Sequence, residues 1–164
     1  AVAEPLSHAF SSLRTVGLAL FVTAGLLMVA VRSGGGSLAP EGLRVRDALS
    51  IGLFQALAVV PGISRSGATL TGGMLAGLTP DAAARFAFLL SLPAISGAVV
   101  LQHREVGALL ASDGTAVAAG TLAAGLTGWL AIDIMMRAVR VGRLAPFAVY
   151  CAILGAVTLL LGLV

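Results

Sequence analysis

The chain has 164 residues, of which 59% are hydrophobic and 10% are charged, and its net charge of +3 comes from ten arginines and no lysine. This apolar excess is typical of helices in a bilayer, where each segment satisfies its own backbone polar groups, and it argues against a soluble domain. The basic residues are not interleaved with aromatic ones, so we expect no nucleic acid partner. The single cysteine, Cys151, excludes an intrachain disulfide.

The apolar segments predict an all-α integral membrane protein of about four spanning helices, forming one membrane domain over residues 1–164. The first apolar run covers residues 15–31 between Arg14 and Arg32, which is at the short end for a spanning helix. The other predicted spans are, in chain order, residues 80–102, 115–136 and 146–164, with polar connections over 32–46, 103–114 and 137–145. A small residue at every fourth position predicts a close-packing helix face, although chance also produces such a stripe in a chain this rich in Gly and Ala: Ala116, Gly120, Ala124 and Gly128.

The segment 47–78 is different, because two short helices fit it better than one span. A helix from Asp47 to Val60 is about 21 Å long, too short for a hydrocarbon core of about 30 Å. Pro61-Gly62 ends it, and a second short helix is predicted over 69–78. If the pair enters the bilayer and returns to the same side, seven of the nine arginines outside it lie on that side. The positive-inside bias therefore predicts a re-entrant pair, a multi-pass chain and a C-terminus outside.

Between the two short helices lies the most polar part of an otherwise apolar region, Pro61-Gly62-Ile63-Ser64-Arg65-Ser66-Gly67-Ala68-Thr69. An arginine at the centre of a bilayer costs about 2.5–3.5 kcal/mol on insertion scales, so it usually has an anion to bind. Glycines allow a backbone to approach a ligand closely, and the positive end of the second helix points into the turn. We therefore expect a phosphate site formed by the polar and glycine residues of the turn: Gly62, Ser64, Arg65, Ser66, Gly67 and Thr69.

Each of these residues also has a structural interpretation. The serines can cap the broken helix, and Arg65 can pair with a carboxylate of another segment. Gln55 can face the same cavity or form an interhelical hydrogen bond. Asp133 is a weak candidate base because Arg137, four residues later, can pair with it. His8 and His103 lie far apart outside the apolar runs, so we expect no metal site in this chain.

The motif at residues 60–69 resembles the second signature of the bacterial undecaprenyl-diphosphate phosphatases, also called bacitracin-resistance proteins. Residues 88–95 and 146–150 resemble the segments that follow it in that family, and the chain corresponds to its C-terminal portion. The resemblance implies half of an inverted-repeat architecture in the bacterial plasma membrane. It also implies an enzyme that hydrolyses the lipid carrier diphosphate to the monophosphate and phosphate for peptidoglycan synthesis. In that family's scheme, Arg65, Ser64 and Ser66 would be the catalytic residues.

The family's first motif, which has two glutamates four residues apart, is absent from this chain. The resemblance implies a divalent metal, Mg or Ca, whose ligands we expect in a missing N-terminal portion. We therefore expect the chain alone to be inactive and to work with that missing half, with a homodimer as the alternative. A type-2 phosphatidic acid phosphatase is excluded, since that class needs a His and an Asp where Thr71 and Leu75 stand. Half of an anion or lipid-phosphate transporter remains the alternative, because transporters also use broken helices.

Overall fold

The computed structural model describes residues 12–162, and this part of the chain is helical. The helices are α1 (Leu13–Ser33), α2 (Val45–Leu57), α3 (Arg65–Leu75), α4 (Pro80–Leu101), α5 (His103–Arg140) and α6 (Ala145–Leu161), with a 3-10 turn at Pro40–Gly42. By length and composition, α1, α4 and α5 are suited to crossing a membrane, and α6 is a shorter apolar helix.

Helix α4 begins as its sequence predicts, and α5 does not. The hydroxyl of Thr79 accepts a hydrogen bond from the backbone N–H of Ala82 at 3.2 Å. The predicted polar loop over 103–114 is wrong, because α5 already begins at His103 and is interrupted only at Asp113, whose φ is −151° and ψ 74°. Isolated charged residues do not break an exposed helix, whereas the carboxylate of Asp113 caps the next turn by accepting from the backbone N–H of Ala116 at 3.0 Å.

The two short helices are both present, with bounds that differ from the predicted ones. Helix α2 starts before Asp47, whose carboxylate accepts a hydrogen bond from the backbone N–H of Arg44 at 3.1 Å. Helix α3 starts four residues earlier than predicted and ends at Leu75, where the chain turns through Gly77 at a φ of +95°. The earlier start follows from Ser64, whose side chain caps the helix.

The start and the end of this helical pair lie at the same end of α1. After α1 ends at Ser33, the loop at 36–38 pairs with residues 77–79, which follow α3. Gly36 donates to the carbonyl of Leu78 at 2.9 Å, and Thr79 donates to the carbonyl of Leu38 at 3.1 Å. A Cβ on Gly36 would collide with the carbonyl of Gly77, so the two segments approach at a glycine.

The packed core surrounds α3, whose residues 67–74 are all buried. At the other side of the molecule α1 crosses α6 closely, since a Cβ on Gly155 would lie 2.9 Å from the carbonyl oxygen of Gly17. The predicted small-residue stripe on α5 does not pack against another described helix. Its alanines are exposed, and no atom would lie within 4 Å of a Cβ on Gly120 or Gly128. Helix α5 instead contributes Val139, near its C-terminal end, to the core.

Candidate functional site

The N-terminus of α3 is formed by Ser64, which is the N-cap residue. Its Oγ accepts a hydrogen bond from the backbone N–H of Gly67 at 3.1 Å, and its carbonyl accepts from Ala68 at 2.8 Å. A Cβ on Gly67 would lie 3.2 Å from the Ser64 side chain, so glycine gives the cap its room. The capping interpretation of Ser64 is therefore confirmed.

A threonine of α1 holds the turn in place. The Thr23 hydroxyl accepts a hydrogen bond from the backbone N–H of Ser64 at 2.9 Å and donates to the carbonyl of Gly62, also at 2.9 Å. Gly62 has a φ of +97°, and a Cβ there would lie 2.7 Å from the carbonyl oxygen of Val16. The turn at residues 61–64 therefore contacts α1 backbone to backbone, at a position that an L side chain would not fit.

Thr23 was not among the residues predicted for the site. It is 1% exposed and lies ten residues from either end of the 21-residue α1, so it marks the middle of a helix about 31 Å long. The available signal was its hydroxyl, the only polar side chain between Thr15 and Arg32. A buried hydroxyl in a membrane helix needs a partner, and here the partner is the turn.

Three predicted or neighbouring polar residues lie behind the turn. The buried Thr69 donates its hydroxyl hydrogen to the carbonyl of Arg65 at 2.8 Å, and Gln55 Oε1 lies 3.5 Å from the same hydroxyl. Thr71, also buried, contacts the carbonyl of Leu26 on α1 at 3.1 Å and that of Gly67 at 2.7 Å. These contacts join α2 and α1 to α3 and support the turn from its protein side.

Arg65 and Ser66 point the other way, and both are exposed. The Ser66 hydroxyl lies 3.3 Å from that of Ser64. Within residues 12–162 the Arg65 guanidinium has no ion pair or hydrogen bond, so the expected alternative, a carboxylate partner, is not found in this part of the chain. The helix end therefore presents one guanidinium, one hydroxyl and the first free N–H groups of α3, which are suited to an anion.

Three of the four aspartates pair with arginines, and the fourth, Asp113, caps a helix turn. Asp133 pairs with Arg137 at 2.7 Å, which confirms the interpretation of that aspartate as structural. Asp81 contacts two arginines, and Asp47 lies 3.5 Å from Arg46. Among residues 12–162 no three His, Cys, Asp or Glu side chains converge. These donors do not fit a divalent cation, and His8 lies outside the described residues.

Residues 12–162 are helical and include a hydroxyl-rich broken helix. The chain is a multi-pass membrane protein, as its long apolar helices and its relatives indicate. It belongs to the family described as bacitracin resistance protein BacA, whose model matches residues 1–157. The family expectation from the residue 60–69 motif is thus confirmed.

Several relatives carry the name undecaprenyl-diphosphatase. The protein of Methanosphaera stadtmanae is 39% identical over 149 residues, which cover 91% of this chain and 54% of that protein. The protein of Desulfosudis oleivorans is 42% identical over 160 residues, 98% of this chain and 59% of the relative. The protein of Methanothermobacter thermautotrophicus is 42% identical over 161 residues, and 87% of it is covered. The chain spans a little over half the length of the first two of these relatives.

Proposed function

We propose that this chain provides the phosphate-binding part of an undecaprenyl-diphosphatase that releases phosphate from the lipid carrier diphosphate. The observation that carries the proposal is the Arg65 guanidinium, exposed and without a partner in the described chain, at the positive end of α3. A planar fork of N–H donors matches phosphate oxygens, and a helix N-terminus adds backbone donors to them. The names of the relatives point to the same substrate class.

We place the turn at mid-depth in the membrane, as the tip of a re-entrant pair. Two observations support this placement. The turn contacts α1 at Thr23, halfway along a helix of spanning length. The loop before α2 and the residues after α3 pair with each other at one end of α1, so the pair leaves and returns at one level. Two further contacts show which helix ends lie together. Arg140 at the end of α5 pairs with Asp81 at the start of α4, and Arg14 at the start of α1 donates to the carbonyl of Gly162 after α6.

Within the site we assign contact with phosphate to Arg65, Ser66 and the first N–H groups of α3. Ser64, Gly62 and Gly67 form the cap and the turn, and Thr69 and Gln55 support them from behind. The proposed reaction breaks the bond between the terminal phosphorus and the bridging oxygen while the oxygen of a water molecule or of a serine hydroxyl bonds to that phosphorus and gives up its proton to solvent. If the serine attacks, a water molecule then hydrolyses the phosphoserine, which releases phosphate and restores the hydroxyl. The lipid monophosphate leaves on the bridging oxygen.

The divalent metal implied by the family has no fitting ligand set in residues 12–162, so no residue described here is assigned to it. We expect the metal ligands in the complementary inverted repeat, or in a second copy that takes its place. We also expect the C-terminus to lie outside. Localisation in the bacterial plasma membrane and a role in bacitracin resistance follow from the family in the same way.

The test is phosphate release from a polyprenyl diphosphate by the complete purified protein. We expect Arg65→Lys to lower the rate about 100-fold or more, because a point donor cannot replace the planar fork, and each tenfold change is about 1.36 kcal/mol. Arg46→Lys, an exposed arginine beside Asp47, is the matched control and should keep its rate. Helicity and expression must match the wild type. An Arg65→Lys rate within threefold of wild type would refute the role, and binding without phosphate release would favour the transporter alternative.

A further inference from the structure

A second basic site lies at one end of the seam between α4 and α5, away from the turn. Asp81, at the start of α4, contacts two arginines through different carboxylate oxygens. Arg85 Nε lies 2.6 Å from Oδ2, and Arg140 Nε, from the end of α5, lies 2.6 Å from Oδ1. Only the Nε donors are used in these contacts, so the terminal nitrogens of both fixed guanidinium groups remain available. The side chains of Arg85 and Arg140 are 60% and 52% exposed.

A cavity of about 450 Å³ opens beneath these arginines. One wall is formed by Phe88 and Leu89 of α4, and the other includes Trp129 and Ile132 of α5. Eleven residues of α5 separate Trp129 from Arg140, so the cavity extends about 16 Å along the helix axis from the charged end. Arg85 and Arg140 lie at one end of the cavity, and the apolar side chains continue away from them along two helices of spanning length. Asp133 also lines the cavity, and its carboxylate is paired with Arg137 at 2.7 Å.

We propose that this cavity binds an anionic phospholipid, with its phosphodiester between Arg85 and Arg140 and an acyl chain along Leu89 and Trp129. The depth argues against a free anion, since inorganic phosphate would use only the charged end. The charge argues against a zwitterionic lipid, because the charged residues that line the cavity, together with their ion-pair partners Asp81 and Arg137, are three arginines and two aspartates: the lining residues are Arg85, Arg140 and Asp133. Basic pockets between membrane helices on the cytoplasmic side are typical sites for anionic head groups.

This site is separate from the proposed phosphatase chemistry. The arginine pair lies beside the Leu38–Thr79 contact at one end of α1, whereas the turn lies at the middle of α1. Lipid binding there would fix the membrane depth of α4 and α5. Because its measurement needs no phosphate release, it can succeed or fail independently of the proposed function.

Trp129 provides the probe, since it lines the cavity and is the only tryptophan of the 164 residues. The chain is reconstituted in phosphatidylcholine vesicles, and its fluorescence is followed as lipid brominated at mid-chain is added. We expect brominated phosphatidylglycerol to reach half-maximal quenching at a roughly fivefold lower mole fraction than brominated phosphatidylcholine. This is about the gain in affinity that one arginine near the membrane surface gives for anionic lipid. The Arg85→Gln/Arg140→Gln double variant should lose this preference.

The matched control is Arg104→Gln, an exposed arginine at the opposite end of α5, which should keep the preference. The comparison of the two lipids on the wild type needs no variant, so it stands even if the double variant misfolds, which circular dichroism would show. Equal quenching by both lipids would overturn the proposal. Loss of the preference in Arg104→Gln would also overturn the proposal and would indicate a diffuse charge effect. If millimolar inorganic phosphate removed the preference, the cavity would be a simple anion site and the proposal would again be overturned.

Discussion

The contact between Thr23 and the turn leads to a sharp prediction for Thr23→Val. Valine has the same shape, and it removes the one hydroxyl that serves both the N–H of Ser64 and the carbonyl of Gly62. A buried group left without a partner costs about 1–3 kcal/mol, while single interhelical hydrogen bonds in membranes average about 0.6 kcal/mol. Since both turn groups are only half-buried, we expect a total loss of about 1–2 kcal/mol in stability.

The effect of Thr23→Val on catalysis should exceed its effect on stability. A displacement of about 1 Å at a reacting group can lower a rate about 100-fold, so we expect phosphate release to fall at least tenfold. Thr23→Ser keeps the hydroxyl and should retain most activity. Thr121→Val is the matched control, because the Thr121 hydroxyl is exposed and contacts only the carbonyl of Val117 in its own helix, at 2.8 Å. Thr23→Val with a wild-type melting temperature and rate would refute the idea that α1 positions the turn.

Two further predictions concern the topology and the two serines. In a chain without Cys151, single cysteines at Ser37 and Arg143 should be labelled from one face of the membrane, and a cysteine at Ser112 from the other. Labelling of the cysteines at Ser37 and Arg143 from opposite faces would contradict the re-entrant pair. Ser64→Ala should lower stability by about 1 kcal/mol through loss of the cap, whereas Ser66→Ala should leave the melting temperature unchanged and reduce phosphate release about tenfold. A drop in melting temperature for Ser66→Ala would assign that serine a structural role instead.

The sequence was most informative where single residues determine local geometry. Thr79 followed by Pro80 predicts the start of α4, and Pro61-Gly62 predicts the break before α3, because capping and φ are local properties. It was less informative at 103–112, where polarity predicts a loop and the chain is helical. Polarity reports solvent exposure rather than backbone conformation, and the helical signal in this segment is the i, i+3, i+4 spacing of Val106, Leu109 and Leu110.

For the candidate site, too, local features could be predicted from the sequence, and contacts between distant segments could not. The turn at residues 61–69 stands out in the sequence, because an arginine among hydroxyls and glycines is unusual in an apolar chain. The sequence could not show which of these residues support the turn and which remain free to bind an anion, since that depends on which groups face each other across helices. Thr69 resembles a ligand in the sequence, yet its hydroxyl is bonded to the carbonyl of Arg65. Thr23 resembles any hydroxyl of a membrane helix, yet it holds the turn through contacts 39 and 41 residues away in the sequence.

The distribution of hydroxyl contacts explains how a broken helix can present an arginine in a membrane. Every hydroxyl on the protein side of the turn bonds backbone, through Thr23, Ser64, Thr69 and Thr71. These bonds satisfy the carbonyl of Gly62 and the N–H groups of Ser64 and Gly67 on the buried side of the break, while the first N–H groups of α3 remain free for an anion. Arg65 and Ser66 are not used in this support, so their donors remain available on the open side. A site that held itself together with Arg65 would have to break that contact before it could bind phosphate.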